Sequence, residues 1–124
     1  MHHHAVVWID HHQARLFSFA GDDVVAGVVH AYQHHHHPEH RKTDHVRPLP
    51  NAKFLHDIVT SLAEASEILV VGPSSAKLEF LRFAHEHAPD LEKKIVGVET
   101  VDHPTDRQLV AYARHYFVKT DPLR

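Results

Sequence analysis

Cysteine is absent from the 124 residues. Without a thiol the chain forms no disulfide, carries no thiolate nucleophile and offers no sulfur ligand to zinc or an iron–sulfur cluster. That composition suits a reducing compartment, and the expected location is the cytoplasm. No run of about 18 apolar residues occurs, so the sequence predicts no membrane-spanning helix and no membrane partner. The N-terminus lacks the basic and longer apolar stretches of a signal peptide, and none is expected. An excess of positive charge is missing too: the formal balance is −3 with histidine neutral. A general nucleic-acid binder shows a strongly basic face, and this balance argues against one. The 17 histidines change the balance with pH. Their ordinary pKa is about 6.5, so mild acid turns the chain strongly cationic.

What is present suits a single domain over residues 1–124. Apolar residues make up 43% of the chain, ordinary for a folded protein. A chain of this length buries roughly two-thirds of its unfolded surface, enough for one core. His2, His3 and His4 carry no functional weight in the sequence alone.

Ala5-Val6-Val7-Trp8-Ile9 is short, continuous and β-branched, which predicts a buried central strand. Asp10 to Gln13 reads as a turn. Ala14 to Phe19 alternates apolar and polar residues and predicts a strand with one face inward. Gly21-Asp22-Asp23 marks a second turn, and Val24 to Tyr32 a third strand. Asn51 is placed to cap a helix whose stripe is Phe54, Leu55, Ile58, Val59, Leu62 and Ala63. Ile68 to Val71 reads as a buried strand, and Gly72-Pro73-Ser74-Ser75 as a turn that caps a helix over Ala76–His87. That helix buries Phe80, Leu81, Phe83 and Ala84 and stops before Pro89. Ile95 to Val98 is a further strand. Thr105 and Gln108 have capping-box spacing before a last helix. The order βββαβαβα predicts an α/β domain, a three-layer mixed sheet of ribonuclease-H-like organisation.

Residues 33–50 interrupt these patterns. The stretch holds six histidines and three prolines with little to bury, and it reads as an exposed loop.

Ala5 to Asp10 with Ala14-Arg15-Leu16-Phe17 resembles the opening hairpin of the middle domain of archaeo-eukaryotic release factors and Pelota. Ile68-Leu69-Val70-Val71-Gly72-Pro73-Ser74-Ser75-Ala76-Lys77 and the helix after it resemble that domain's strand–turn–helix signature. With Val98 to Thr105 added, nearly the whole chain is similar to short bacterial proteins of this superfamily labelled translational machinery proteins. The resemblance implies a release-factor-middle-domain-like fold and a link to the ribosome. In release factors the connection after the third strand carries a Gly-Gly-Gln tripeptide that enters the peptidyl-transferase centre. This sequence has no Gly-Gly-Gln and places His34-His35-His36-His37-Pro38-Glu39-His40 there. Hydrolysis of peptidyl-tRNA does not carry over. The first expectation is a non-enzymatic, stand-alone domain associated with the ribosome or RNA.

Three candidate sites follow from the residues. His34, His35, His36, His37, His40 and His45 are potential ligands for zinc or nickel, with His30 close by in sequence. This suggests the second reading, a metal-binding or pH-sensing protein. A solvated histidine surface is its plain alternative, and no cofactor is otherwise required. Asp10, ending the first strand, invites comparison with nucleases that hold two magnesium ions. Glu79, Glu99 and Asp102 are the available companions. An aspartate at such a junction commonly bonds the backbone instead, so a magnesium-dependent nuclease is the third reading. Ser74, Ser75 and Lys77 stand at a helix N-terminus that could hold an RNA phosphate or small anion, against a capped turn with a solvated lysine. Asp102-His103 has no nucleophile beside it and reads as structural. Trp8, Phe17, Phe80 and Tyr112 are assigned to the core, Tyr116 and Phe117 to a partly exposed end. The oligomeric state is open, a homo-oligomer included.

Overall fold

A run of five apolar residues can be satisfied only by cover on both faces. In the computed structural model, which describes residues 3–31 and 52–120, Ala5 to Ile9 are all buried in β1 (His4–Ile9). β2 (Gln13–Ala20) returns antiparallel with Val7 opposite Leu16. The turn after it uses Gly21 at φ 65, a left-handed conformation that favours glycine. β3 (Asp23–His30) pairs antiparallel with β2. α1 (Ala52–Ser61) leads to β4 (Glu67–Gly72), which lies parallel to β1 with Val7 opposite Val70. α2 (Ala76–His87) and a four-residue α3 (Pro89–Glu92) lead to β5 (Ile95–Thr100), parallel to β4. α4 (Asp106–Thr120) closes the described chain. The sheet order is β3-β2-β1-β4-β5, the mixed sheet expected from the sequence.

Alternate residues of a strand face opposite sides, so the sheet carries two cores. On one side Ala5, Val7, Ile9 and Leu16 meet Phe54, Ile58 and Phe80 of α1 and α2. On the other, Val6, Trp8, Phe17 and Phe19 meet Leu109, Ala113 and Phe117 of α4. Helices on both faces make three layers.

Several details depart from the sequence reading. Pro89 ends α2 and also starts α3, where a missing N–H costs nothing at the first helical position. Ser75 makes no side-chain cap; its carbonyl accepts from Leu78 N at 2.9 Å and Glu79 N at 3.1 Å. Ala63 and Tyr112 are exposed, whereas Phe117 is buried. Thr105 and Gln108 do form the reciprocal box, at 3.1 and 2.9 Å. His4 belongs to β1: its ring stacks on Phe117 with centroids 4.2 Å apart, and its Nε2 lies 3.1 Å from Glu67. Asn51, Tyr32 and the segment 33–50 lie outside the described residues, as do the six histidines from His34 to His45.

β1, β4 and β5 run the same way, and β3, antiparallel to β2, runs with them. Their C-terminal ends share one edge. The turns after β1, β4 and β5 lie there, and so does Ala31, whose N–H donates to the His12 carbonyl at 2.8 Å. In sequence the histidine-rich stretch falls between β3 and α1, and Ala31, the last described residue before it, lies at this edge.

Candidate functional site

At this edge Asp10 follows the last residue of β1. Its Oδ1 accepts from the backbone N–H of His12 at 2.8 Å and of Gln13 at 2.9 Å. Asp10 N donates to the Gln13 carbonyl at 3.0 Å, closing the turn. The carboxylate thus satisfies two amides that the tight β1–β2 connection would leave without partners. Asp10→Asn keeps an oxygen that accepts the same two bonds, so its thermal midpoint should stay close to that of the parent. Asp10→Ala should cost about 1–2 kcal/mol in urea denaturation. A magnesium-dependent RNA cleavage that disappears in Asp10→Asn would assign the residue to catalysis instead.

The carboxylates expected beside Asp10 are engaged elsewhere. Glu79 lies on α2, 3.4 Å from His11 Nε2 in an exposed pair. Asp102 is exposed and meets His103 Nδ1 at 2.9 Å. Glu99 sits on β5 and accepts from the Tyr112 hydroxyl. It lines an open groove of about 500 Å³ with Tyr112, His115, Tyr116 and Lys119. Burial, and then the Glu99 charge, raise the pKa of the Tyr116 phenol. Among the described residues no three histidine, aspartate or glutamate side chains stand together as a metal ion would require.

Lys77 departs from the solvated reading. It is 7% exposed, and its ammonium folds back onto the Ser74 carbonyl at 2.8 Å. Its aliphatic stem is buried with the first turn of α2 while the charge finds a backbone acceptor. Ser74 and Ser75 are exposed. The three residues are adjacent, but Lys77 is already committed within the turn.

A second cluster at the edge centres on Trp8. Its Nε1 donates to the Asp102 carbonyl at 2.7 Å. Arg15, directly opposite on β2, lays its guanidinium over the indole at 4.5 Å. The same guanidinium pairs with Asp106 at 2.7 Å and donates to the Pro104 carbonyl at 2.9 Å. His103 lies against the indole with centroids 5.2 Å apart. Strands β1 and β2 thus grip the connection before α4. Alternation on β2 marks Arg15 as polar; only the register opposite Trp8 reveals it as a clamp. His11, His12 and His30 are exposed where the histidine-rich stretch begins.

Sheet order, strand directions and helices on both faces define a ribonuclease-H-like mixed α/β domain. Among solved structures it is similar to Archaeoglobus fulgidus Pelota, with a TM-score of 0.67 over 95% of this chain at 16% identity. Thermoplasma acidophilum Pelota gives 0.58 over 95% at 18% identity. The archaeal translation termination factor aRF1 gives 0.54 over 84% at 14% identity. The chain covers 32% of each Pelota structure and 31% of aRF1, about a third of their lengths. At these identities the likeness establishes the fold. No protein-family model matches the chain, and no curated protein does.

Proposed function

We propose that this chain is a non-enzymatic, release-factor-like domain that associates with the ribosome or with RNA. The supporting observation is the likeness to Pelota over 95% of the chain, joined to the histidine run between β3 and α1. The finer resemblance to short bacterial translational machinery proteins supports the same reading. Without a Gly-Gly-Gln tripeptide, peptidyl-tRNA hydrolysis does not carry over, and the role proposed is binding. The end of the sheet carrying His11 and His12 is the surface offered to the partner. An imidazole binds phosphate better when protonated, so contact between the histidine run His34 to His37 and phosphate should strengthen in mild acid and weaken with salt.

Capture from the native cell tests this. Ribosomal components should be recovered above a mock purification, with recovery reduced several-fold when His34 to His37 are replaced by alanine. Equal recovery in the mock purification would end the proposal.

The exposed histidines at the root of the stretch favour one second reading, a site for zinc or nickel. In zinc calorimetry at neutral pH one ion per chain should bind. Affinity should fall with pH, because protonation removes the lone pair a metal needs. Replacing His36 and His40 together should cost far more affinity than replacing His2 and His3. An even, shallow loss across all substitutions would leave only a solvated histidine surface.

A further inference from the structure

We propose that the outer edge of β3 is a self-association surface that pairs antiparallel with a second copy of this chain and joins two five-stranded sheets into one. β3 is the end strand of the sheet, and among the described residues no strand pairs with its outer side. Val24, Val25 and Val28 are 39%, 68% and 54% exposed. Edge strands are usually shielded by lysine, proline, a bulge or short length. β3 has eight residues, Asp-Val-Val-Ala-Gly-Val-Val-His, and none of those devices. Its register with β2 is unbroken from Asp23 to His30. The opposite edge differs: β5 has the Tyr116 hydroxyl on the Val96 carbonyl at 3.2 Å, and its register with β4 is shifted.

Symmetry selects the register. A two-residue turn joins Ala20 and Asp23, so these form a hydrogen-bonded pair and alternate residues of β3 point their backbone groups at β2. Val24, Ala26, Val28 and His30 therefore present N–H and C=O outward. A two-fold axis normal to the sheet keeps each face on its own side, so only outward residues of like parity can meet. With the axis at Ala26, Ala26 meets Ala26, Val24 meets the second copy's Val28, and Asp22 meets the second copy's His30. Two valine pairs follow, with Asp22 of the turn beside the second copy's His30 at each end, and apolar cross-strand pairs stabilise antiparallel ladders. On the other face Val25 lies over the second copy's Gly27, where no side chain competes. With the axis at Gly27 instead, His30 meets Val24, Val28 meets Ala26 and both valine pairs are lost.

The absence of cysteine makes the test direct. Sedimentation velocity of the full chain, over a micromolar-to-millimolar series, should show a monomer–dimer equilibrium. Ala26→Pro removes an outward N–H, which an edge strand tolerates, and should reduce the dimer fraction about tenfold with the circular dichroism unchanged. Val28→Lys should act likewise if proline disturbs the fold. Ala26→Cys should cross-link readily on mild oxidation, because facing hydrogen-bonded residues stand roughly 5.5 Å apart at Cα, within disulfide range. Gly27→Cys and Val98→Cys, the latter on the far edge, should cross-link poorly. A monomer at every concentration, a dimer indifferent to both edge substitutions, or cross-linking as strong at 27 or 98 as at 26 overturns the proposal.

Discussion

Gly72→Ala is expected to cost about 3 kcal/mol, a large share of the 5–15 kcal/mol that holds a domain of this size together. Gly72 ends β4 beside β1, and a methyl group there would run into the backbone carbonyl of Ile9. That carbonyl is main chain at the end of a central strand and moves only with the backbone, so the ends of β1 and β4 must separate and weaken their ladder. Gly97 provides the comparison. A methyl group there meets the Tyr116 hydroxyl, the far end of a side chain that can turn away. Gly97→Ala should therefore cost about 1 kcal/mol, mostly the lost bond to the Val96 carbonyl. Urea denaturation followed by circular dichroism decides it. A larger loss at Gly97 than at Gly72 would show that β1 yields more easily than its packing implies.

Trp8→Ala should cost about 3–5 kcal/mol, since it removes a fully buried indole from the α4-side core. Arg15 then loses the surface on which it lies, and the Asp102 carbonyl loses its donor. Trp8→Phe separates the two effects. It keeps much of the apolar bulk but leaves that carbonyl without its donor, at about 1–3 kcal/mol. Amide exchange at residues 101–105 should accelerate in Trp8→Phe out of proportion to exchange in β4. A uniform change, or a Trp8→Ala cost under about 1 kcal/mol, would show that the indole does not tie this connection down.

The strands were legible because burial and pairing impose a short period. Ala5 to Ile9 reads as central, and β2 reads as alternating, from apolar residues alone. The Thr105–Gln108 box is equally local, since both partners lie within one turn. Tyr112 and Phe117 are less legible: α4 covers one face of the sheet, and helical period alone does not show which of its apolar residues reach that face. Lys77 shows another kind of failure. A lysine after a serine turn suggests solvent or an anion, and only the fold shows its ammonium returning to Ser74. At the edge, Asp10 was legible as a turn residue, whereas the clamp of Trp8 and Arg15 on Asp102 and Asp106 depends on partners 94 and 91 residues apart.

The ends of the histidine-rich stretch have an evolutionary consequence. Ala31 and Ala52 both pack against the same apolar cluster, the one beneath α1 and α2. Each end is secured by the domain independently of what lies between. Closing a longer connection between fixed ends costs little, about 0.6 kcal/mol for each doubling in length. The interval between β3 and α1 is thus an interchangeable cassette. Its length and its residues can change while the scaffold on either side keeps its stability.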